Sequence, residues 1–189
     1  MKPFQALLGS ALLLAWFPAM SPAVELPTCV IDFDTGSACP DTTSVCGATF
    51  NGGLGCSDLN FPGCRTTGDR YYRINTGNLT ISLSGDLTSL AVLFAGVGTG
   101  TGQMKFFDAN DNQVSGTVNG QHVSMLVTNG NCKGGVTPPT QTIALDAPVR
   151  TVTVSNVTGE LSIDTFHINP LGTVPTVPRP WGLMKVLYR

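Results

Sequence analysis

Charge is scarce in this chain. Lysine and arginine number 10 and aspartate and glutamate 12 in 189 residues, leaving a net charge of −2. Neither sign gathers into a patch, which excludes the basic surface that nucleic acid requires. Histidine is limited to His122 and His167, and glutamate to Glu25 and Glu160. Neither histidine sits in a His-Glu-x-x-His or Gly-x-Ser-x-Gly context. The aspartates are scattered rather than paired as glycoside hydrolysis demands. The expectation is therefore a non-catalytic protein. No Cys-x-x-Cys pair occurs and no histidine lies near the cysteines, which argues against zinc. Long helix-forming runs are missing beyond the N-terminus.

What is present is threonine, serine, glycine, asparagine and valine, the composition of an extracellular all-β protein. Residues 1–23 read as a secretory signal, with Lys2 as the positive end and Ala6 to Phe17 as a short apolar core. Ser21-Pro22-Ala23 supplies small residues for cleavage after Ala23, and the apolar run falls short of the ~20 residues of a membrane span. Six cysteines, Cys29, Cys39, Cys46, Cys56, Cys64 and Cys132, fit export as disulfides. Spacing alone does not choose among their connectivities.

The centre of the chain carries the fold signal. Leu79, Ile81 and Leu83 alternate with Thr80, Ser82 and Ser84, so one face of a strand is apolar and the other polar. Leu90 to Ala95 is apolar on consecutive positions, as in a strand covered on both faces. Met104 to Phe107 continues the sheet, and further short strands are expected at Cys29–Asp34, Tyr71–Ile74, Gln121–Thr128, Gln141–Leu145, Val149–Ser155 and Glu160–Ile168. In Gln121–Thr128 the expected inner face is Val123, Met125 and Val127, with His122 facing solvent. The parity of Leu161 and Ile163 conflicts with that of Phe166 and Ile168, and a bulge near Asp164-Thr165 resolves the conflict.

Residues 35–70, rich in glycine, threonine and cysteine, read as a disulfide-stapled insertion lying on or beside a sandwich, anchored by Phe50, Leu54, Leu59 and Phe61. The β domain spans 24–169. Residues 170–189 form a proline-spaced linker and tail containing Trp181, too short to span a membrane alone. Asp108, Asn110 and Asn112 open like an EF-hand loop, but Gln113 and Asn119 break the pattern, so a tight Asx turn is expected. Gly96 to Gly102 lacks the Gly-Lys-[Ser/Thr] of a phosphate loop and reads as a strand connection. Asn78-Leu-Thr80 and Asn156-Val-Thr158 are glycosylation sequons.

Leu90-Ala-Val-Leu-Phe-Ala95, Met104 to Val114, Val149 to Val154 and Leu161-Ser-Ile-Asp-Thr-Phe-His-Ile168 together resemble the galactose-binding-like jelly-roll domains of secreted bacterial proteins. In that likeness Asn112 takes the place of a hairpin glycine, which a residue tolerant of positive φ permits. The tail, with Val177-Pro-Arg-Pro180 and terminal Arg189, is similar to the C-terminal sorting signals of exopolysaccharide-forming bacteria. Arg179 replaces their acidic residue and the membrane stretch is missing, which points to release.

The resemblance implies an antiparallel jelly-roll β-sandwich and a carbohydrate-binding or surface role. It also implies a structural Ca²⁺ where first and last strands meet, held by Asp164 with Asp32 or Asp34. Tyr71 and Tyr72 pair an apolar ring with a polar handle and are the candidates to stack on a sugar. The expectation is a secreted module for extracellular polysaccharide or cell-surface glycan. The alternative is a structural or adhesive protein that assembles with itself or another surface protein.

Overall fold

The computed structural model describes residues 24–34, 36–41, 43–57, 70–74, 77–96, 100–130 and 139–171. The signal segment, Leu59, Phe61, Cys64, Cys132, residues 97–99 of the Gly96–Gly102 connection and the tail beyond Leu171 lie outside them.

The described chain is all β: β1 (Cys29–Ile31), β2 (Ala48–Gly52), β3 (Gly55–Ser57), β4 (Tyr71–Ile74), β5 (Leu79–Ala95), β6 (Thr101–Phe107), β7 (Gln113–Val114), β8 (Gly116–Val118), β9 (Gln121–Val123), β10 (Leu126–Asn129), β11 (Gln141–Thr158) and β12 (Leu161–Ile168). Strand pairing is antiparallel throughout, and the hydrogen-bonded path β10-β6-β11-β5-β12-β4-β3 curls into a β-sandwich. An isolated bridge from Glu25 to Asp86 is parallel.

The two long strands make the curl. Leu79, Ile81 and Leu83 of β5 are buried, and this half pairs with β2 on one side and with Thr151–Val154 on the other. Leu90, Val92 and Phe94 take over as core residues in the second half, which pairs with Gln141–Ala144 and β12. The inward parity thus shifts between Leu87 and Leu90, where β5 passes from one leaf to the other. β11 makes the matching passage, with register shifts around Val149. The expectation of two strands in each of these stretches is corrected to one bent strand each. Gly85 and Asp86 stay in the ladder because the segment around Val24 and Leu26 pairs beside them: Leu26 N–H donates to Asp86 O (3.0 Å) and Asp86 N–H to Val24 O (2.9 Å).

Both leaves share one core, in which Leu79, Ile81, Leu90, Phe106, Val152, Val154 and Phe166 are buried. Phe33, Phe50, Tyr72 and Phe166 form an aromatic cluster within it, with ring centroids 4.8 to 5.9 Å apart.

The described part of the cysteine-rich stretch contributes two strands to the sheet rather than lying beside it. β2 pairs with β5 from Ala48↔Leu83 to Gly52↔Leu79, and β3 pairs with β4. Glycine and cysteine density hides a short alternation in which Ala48 and Phe50 are buried and Thr49 and Asn51 are not. Of its expected anchors, Phe50 is buried, whereas Leu54 is 55% exposed. Disulfides join Cys29 to Cys46 and Cys39 to Cys56, with Cα atoms 6.1 and 6.0 Å apart.

Other local expectations divide. The register of β12 against β5 skips from Ile163↔Phe94 to Thr165↔Leu93, leaving Asp164 as the extra residue of a bulge. That bulge turns both Ile163 and Phe166 inward. Gln121–Thr128 is not one strand: it breaks at Ser124-Met125, and the buried residues of β10 are Leu126 and Thr128, with Val127 67% exposed. The Asx turn forms as expected, with Asp108 Oδ1 accepting from the N–H groups of Asn110 (2.8 Å) and Asn112 (2.9 Å). The left-handed residue in it is Asp111 (φ 60°), not Asn112.

Candidate functional site

The turn between β2 and β3, Gly52-Gly53-Leu54-Gly55, folds back onto β4. Gly52, Gly53 and Gly55 all have positive φ (98°, 74° and 77°). A Cβ on Gly53 would lie 2.7 Å from Arg73 O, and one on Gly52 would lie 2.5 Å from Asn78 O, so side chains are excluded by conformation and by space. Leu54 N–H donates to Arg73 O (2.9 Å), pinning the turn over β4. Its side chain is left facing solvent.

The turn borders an open cleft of about 540 Å³ lined by Asp41, Phe50, Asn51, Leu54, Tyr72 and the three glycines. The Cys39–Cys56 disulfide ties the segment carrying Asp41 to β3. Phe50 N–H donates to Pro40 O (2.8 Å), fixing the same segment against β2. Asp41 thereby sits over Gly55, its Oδ2 2.5 Å from where a Cβ would be. Asp41, Asn51 and Leu54 are exposed on the rim, whereas Phe50 and Tyr72 close the floor.

The Tyr72 hydroxyl donates to Gly52 O (2.6 Å). Burial, and secondarily the negative charge of Asp41, push its pKa up to about 12. The cleft thus offers an apolar wall, a carboxylate, a side-chain amide and backbone carbonyls around a solvent-open space, the mixture small-ligand sites use.

Tyr71 and Tyr72 are both buried. Tyr71 packs with Ala95 on the opposite face of β4 from Tyr72. Neither ring presents a free face, and Tyr72 meets the cleft from within the aromatic cluster. Asp164 is fully buried at its bulge, and Asp32 Oδ1 accepts from Asp34 N–H (3.4 Å) and Ser37 Oγ (3.3 Å). Among the described residues no group of three or more His, Cys, Asp or Glu side chains is placed to hold a metal ion. His122 is exposed and contacts Asp146 Oδ2 (2.7 Å), remote in sequence from the cleft. The residue pattern does not single out Asp41 or Asn51 and marks Leu54 only as an anchor of the insertion, although Asn51-Gly52-Gly53 is a turn signal that marks the hairpin.

No protein-family model and no curated protein matches the sequence. Among solved structures the chain is similar to CsCBM6-3 from Clostridium stercorarium in complex with cellobiose, at 12% identity and TM-score 0.36, covering 64% of this chain and 85% of that one. It is also similar to an isomalto-dextranase of Arthrobacter globiformis complexed with panose (18%, TM-score 0.38, 65% of this chain and 23% of that one). A third similarity is to the catalytic unit of a thermostable GH87 alpha-1,3-glucanase from Streptomyces thermodiastaticus (15%, TM-score 0.40, 77% of this chain and 26% of that one).

Proposed function

We propose that the protein is a secreted, non-catalytic binding module for an extracellular polysaccharide or cell-surface glycan, and that the cleft at the β2–β3 turn holds the sugar. The observation that carries this reading is that Leu54, Asn51 and Asp41 line one open cleft whose backbone is set by three positive-φ glycines. A pyranose has C–H faces that need apolar cover and hydroxyls that need both donors and acceptors. Leu54 supplies the first, and Asn51 with Asp41 and the turn carbonyls supplies the second. Among the described residues that line the cleft, Asp41 is the one carboxylate, whereas glycoside hydrolysis in its common form uses two. The disulfides and the signal-like N-terminus fit an oxidising, extracytoplasmic setting.

Affinity electrophoresis tests the reading. The full chain is run through gels containing hydroxyethyl cellulose, dextran, galactomannan or alginate. Retardation by at least one polymer is expected, with Leu54→Ala and Asp41→Ala each abolishing most of it. Retardation that survives both substitutions unchanged would move the site elsewhere, and none with the native chain would remove the function.

A further inference from the structure

The outward side of one leaf has a composition the proposed cleft does not use. Register aligns Asn51 of β2, Thr80 of β5, Thr153 of β11 and Lys105 of β6 across four neighbouring strands. The adjacent row aligns Thr49, Ser82, Thr151 and Phe107 on the same strands. These side chains are exposed or half-buried, while Ile81 and Val152 beneath them are fully buried. Lys105 carries the one charge in the two rows. Strands lie about 4.8 Å apart, so a row spans roughly 14 Å, and the rows are separated by about 6.7 Å along the strands.

Asn51 connects this face to the cleft. It lines the cleft, and its Nδ2 also donates to Ser82 Oγ across the strand (3.2 Å). A chain molecule leaving the cleft past Asn51 therefore meets a continuous strip of hydroxyls.

We infer that this face extends the cleft into a groove for a long, uncharged polysaccharide chain, with Thr80 and Thr153 contacting sugar units beyond those held at Leu54. The inference rests on the glycan-binding reading of the cleft. Two features select the occupant. A near-neutral, hydroxyl-rich strip matches a polyhydroxylated neutral polymer: its hydroxyls donate and accept without desolvating a charge. A polyanion would find one cation in two rows. A buried protein interface would require apolar anchors, of which the rows hold Phe107 alone.

The test uses the full chain and whichever gel polymer retards it, with binding competed by a disaccharide and by long-chain fragments of that polymer. Long fragments should compete about tenfold better than the disaccharide. Thr80→Val/Thr153→Val should cut long-fragment affinity about tenfold while leaving disaccharide affinity unchanged, the effect of losing two hydrogen bonds. Valine preserves β propensity and shape, and an unchanged melting temperature verifies the fold. Leu54→Ala should weaken both ligands. Three results overturn the inference while the cleft stands: equal competition by both ligands, a double variant that binds long fragments like the native chain, or light scattering in which the double variant breaks up a dimer built on this face. If no polymer retards the native chain, the cleft reading falls and the groove with it.

Discussion

Asn169 ties three separate segments of the fold together. It follows β12, is fully buried and adopts φ 48°, a left-handed conformation that asparagine tolerates. Its Oδ1 accepts from the N–H groups of Thr88 (2.8 Å) and Ser89 (3.2 Å), and its Nδ2 donates to Leu26 O (2.7 Å) and Asp86 O (3.3 Å). Thr28 Oγ1 donates to the Asn169 carbonyl (3.0 Å). One side chain therefore joins the N-terminal segment, the bend of β5 and the end of the last strand. Asn169→Ala would strand buried backbone donors and acceptors, and urea denaturation should show a loss of roughly 2–4 kcal/mol. Nothing in the residue pattern marks Asn169, because its partners are distant in sequence. Asp164 is the opposite case: the parity conflict between Ile163 and Phe166 announces its bulge locally. For Tyr72, burial and Asp41 hold the hydroxyl protonated up to a pKa of about 12. Between the unfolded value near 10 and that folded value, the unfolded chain binds fewer protons than the folded one, so stability falls as pH rises through this window. A tyrosinate titration should show a late component that Tyr72→Phe removes and that Asp41→Asn moves to lower pH.

At the scale of elements, alternation reveals the strands but not their continuity. Leu79 to Leu83 and Leu90 to Ala95 read as two strands because the passage between leaves breaks the apolar period at Gly85–Ser89, yet the ladder runs through. A bend with a parity shift looks like a turn in one dimension. β2 and β3 fail for another reason: three to five residues among glycines and cysteines carry too little period to stand out, and their partners in β5 and β4 supply what local propensity lacks. The candidate cleft went unseen with them. Its turn is held on one side by the Leu54 bond to β4 and on the other by Cys39–Cys56. The double substitution Cys39→Ala/Cys56→Ala opens a 17-residue cross-link, and a cost of about 2–4 kcal/mol is expected in chemical denaturation. Because Asp41 is positioned over Gly55 by that bridge, retardation by the polymer should weaken further than the stability loss explains. The check is to repeat the gel assay at a temperature where both proteins remain folded. Equal retardation there would mean that the turn holds its shape without the disulfide.

At the scale of the molecule, low charge is a property of the surface as well as of the composition. The described ion pairs include Asp86–Arg150 (2.7 Å) and Glu160–Arg73 (3.0 Å), which neutralise two of the few cations locally. The leaf face with its threonine rows carries Lys105, and the cleft carries Asp41. A neutral polysaccharide bound across them would release few counterions, and the charges involved sit in solvent where salt already screens them. Retardation should therefore change less than about twofold between low and high salt, since the Debye length falls from about 30 Å at 0.01 M to about 3 Å at 1 M without a charged contact to weaken. An anionic polymer attracted through Lys105, or an aminated one through Asp41, would instead lose affinity steeply over the same range. The salt series on the full chain thus separates a face built for hydroxyls from one built for charge. A steep decline would assign the affinity to Lys105 or Asp41, and Lys105→Ala against Asp41→Asn would say which.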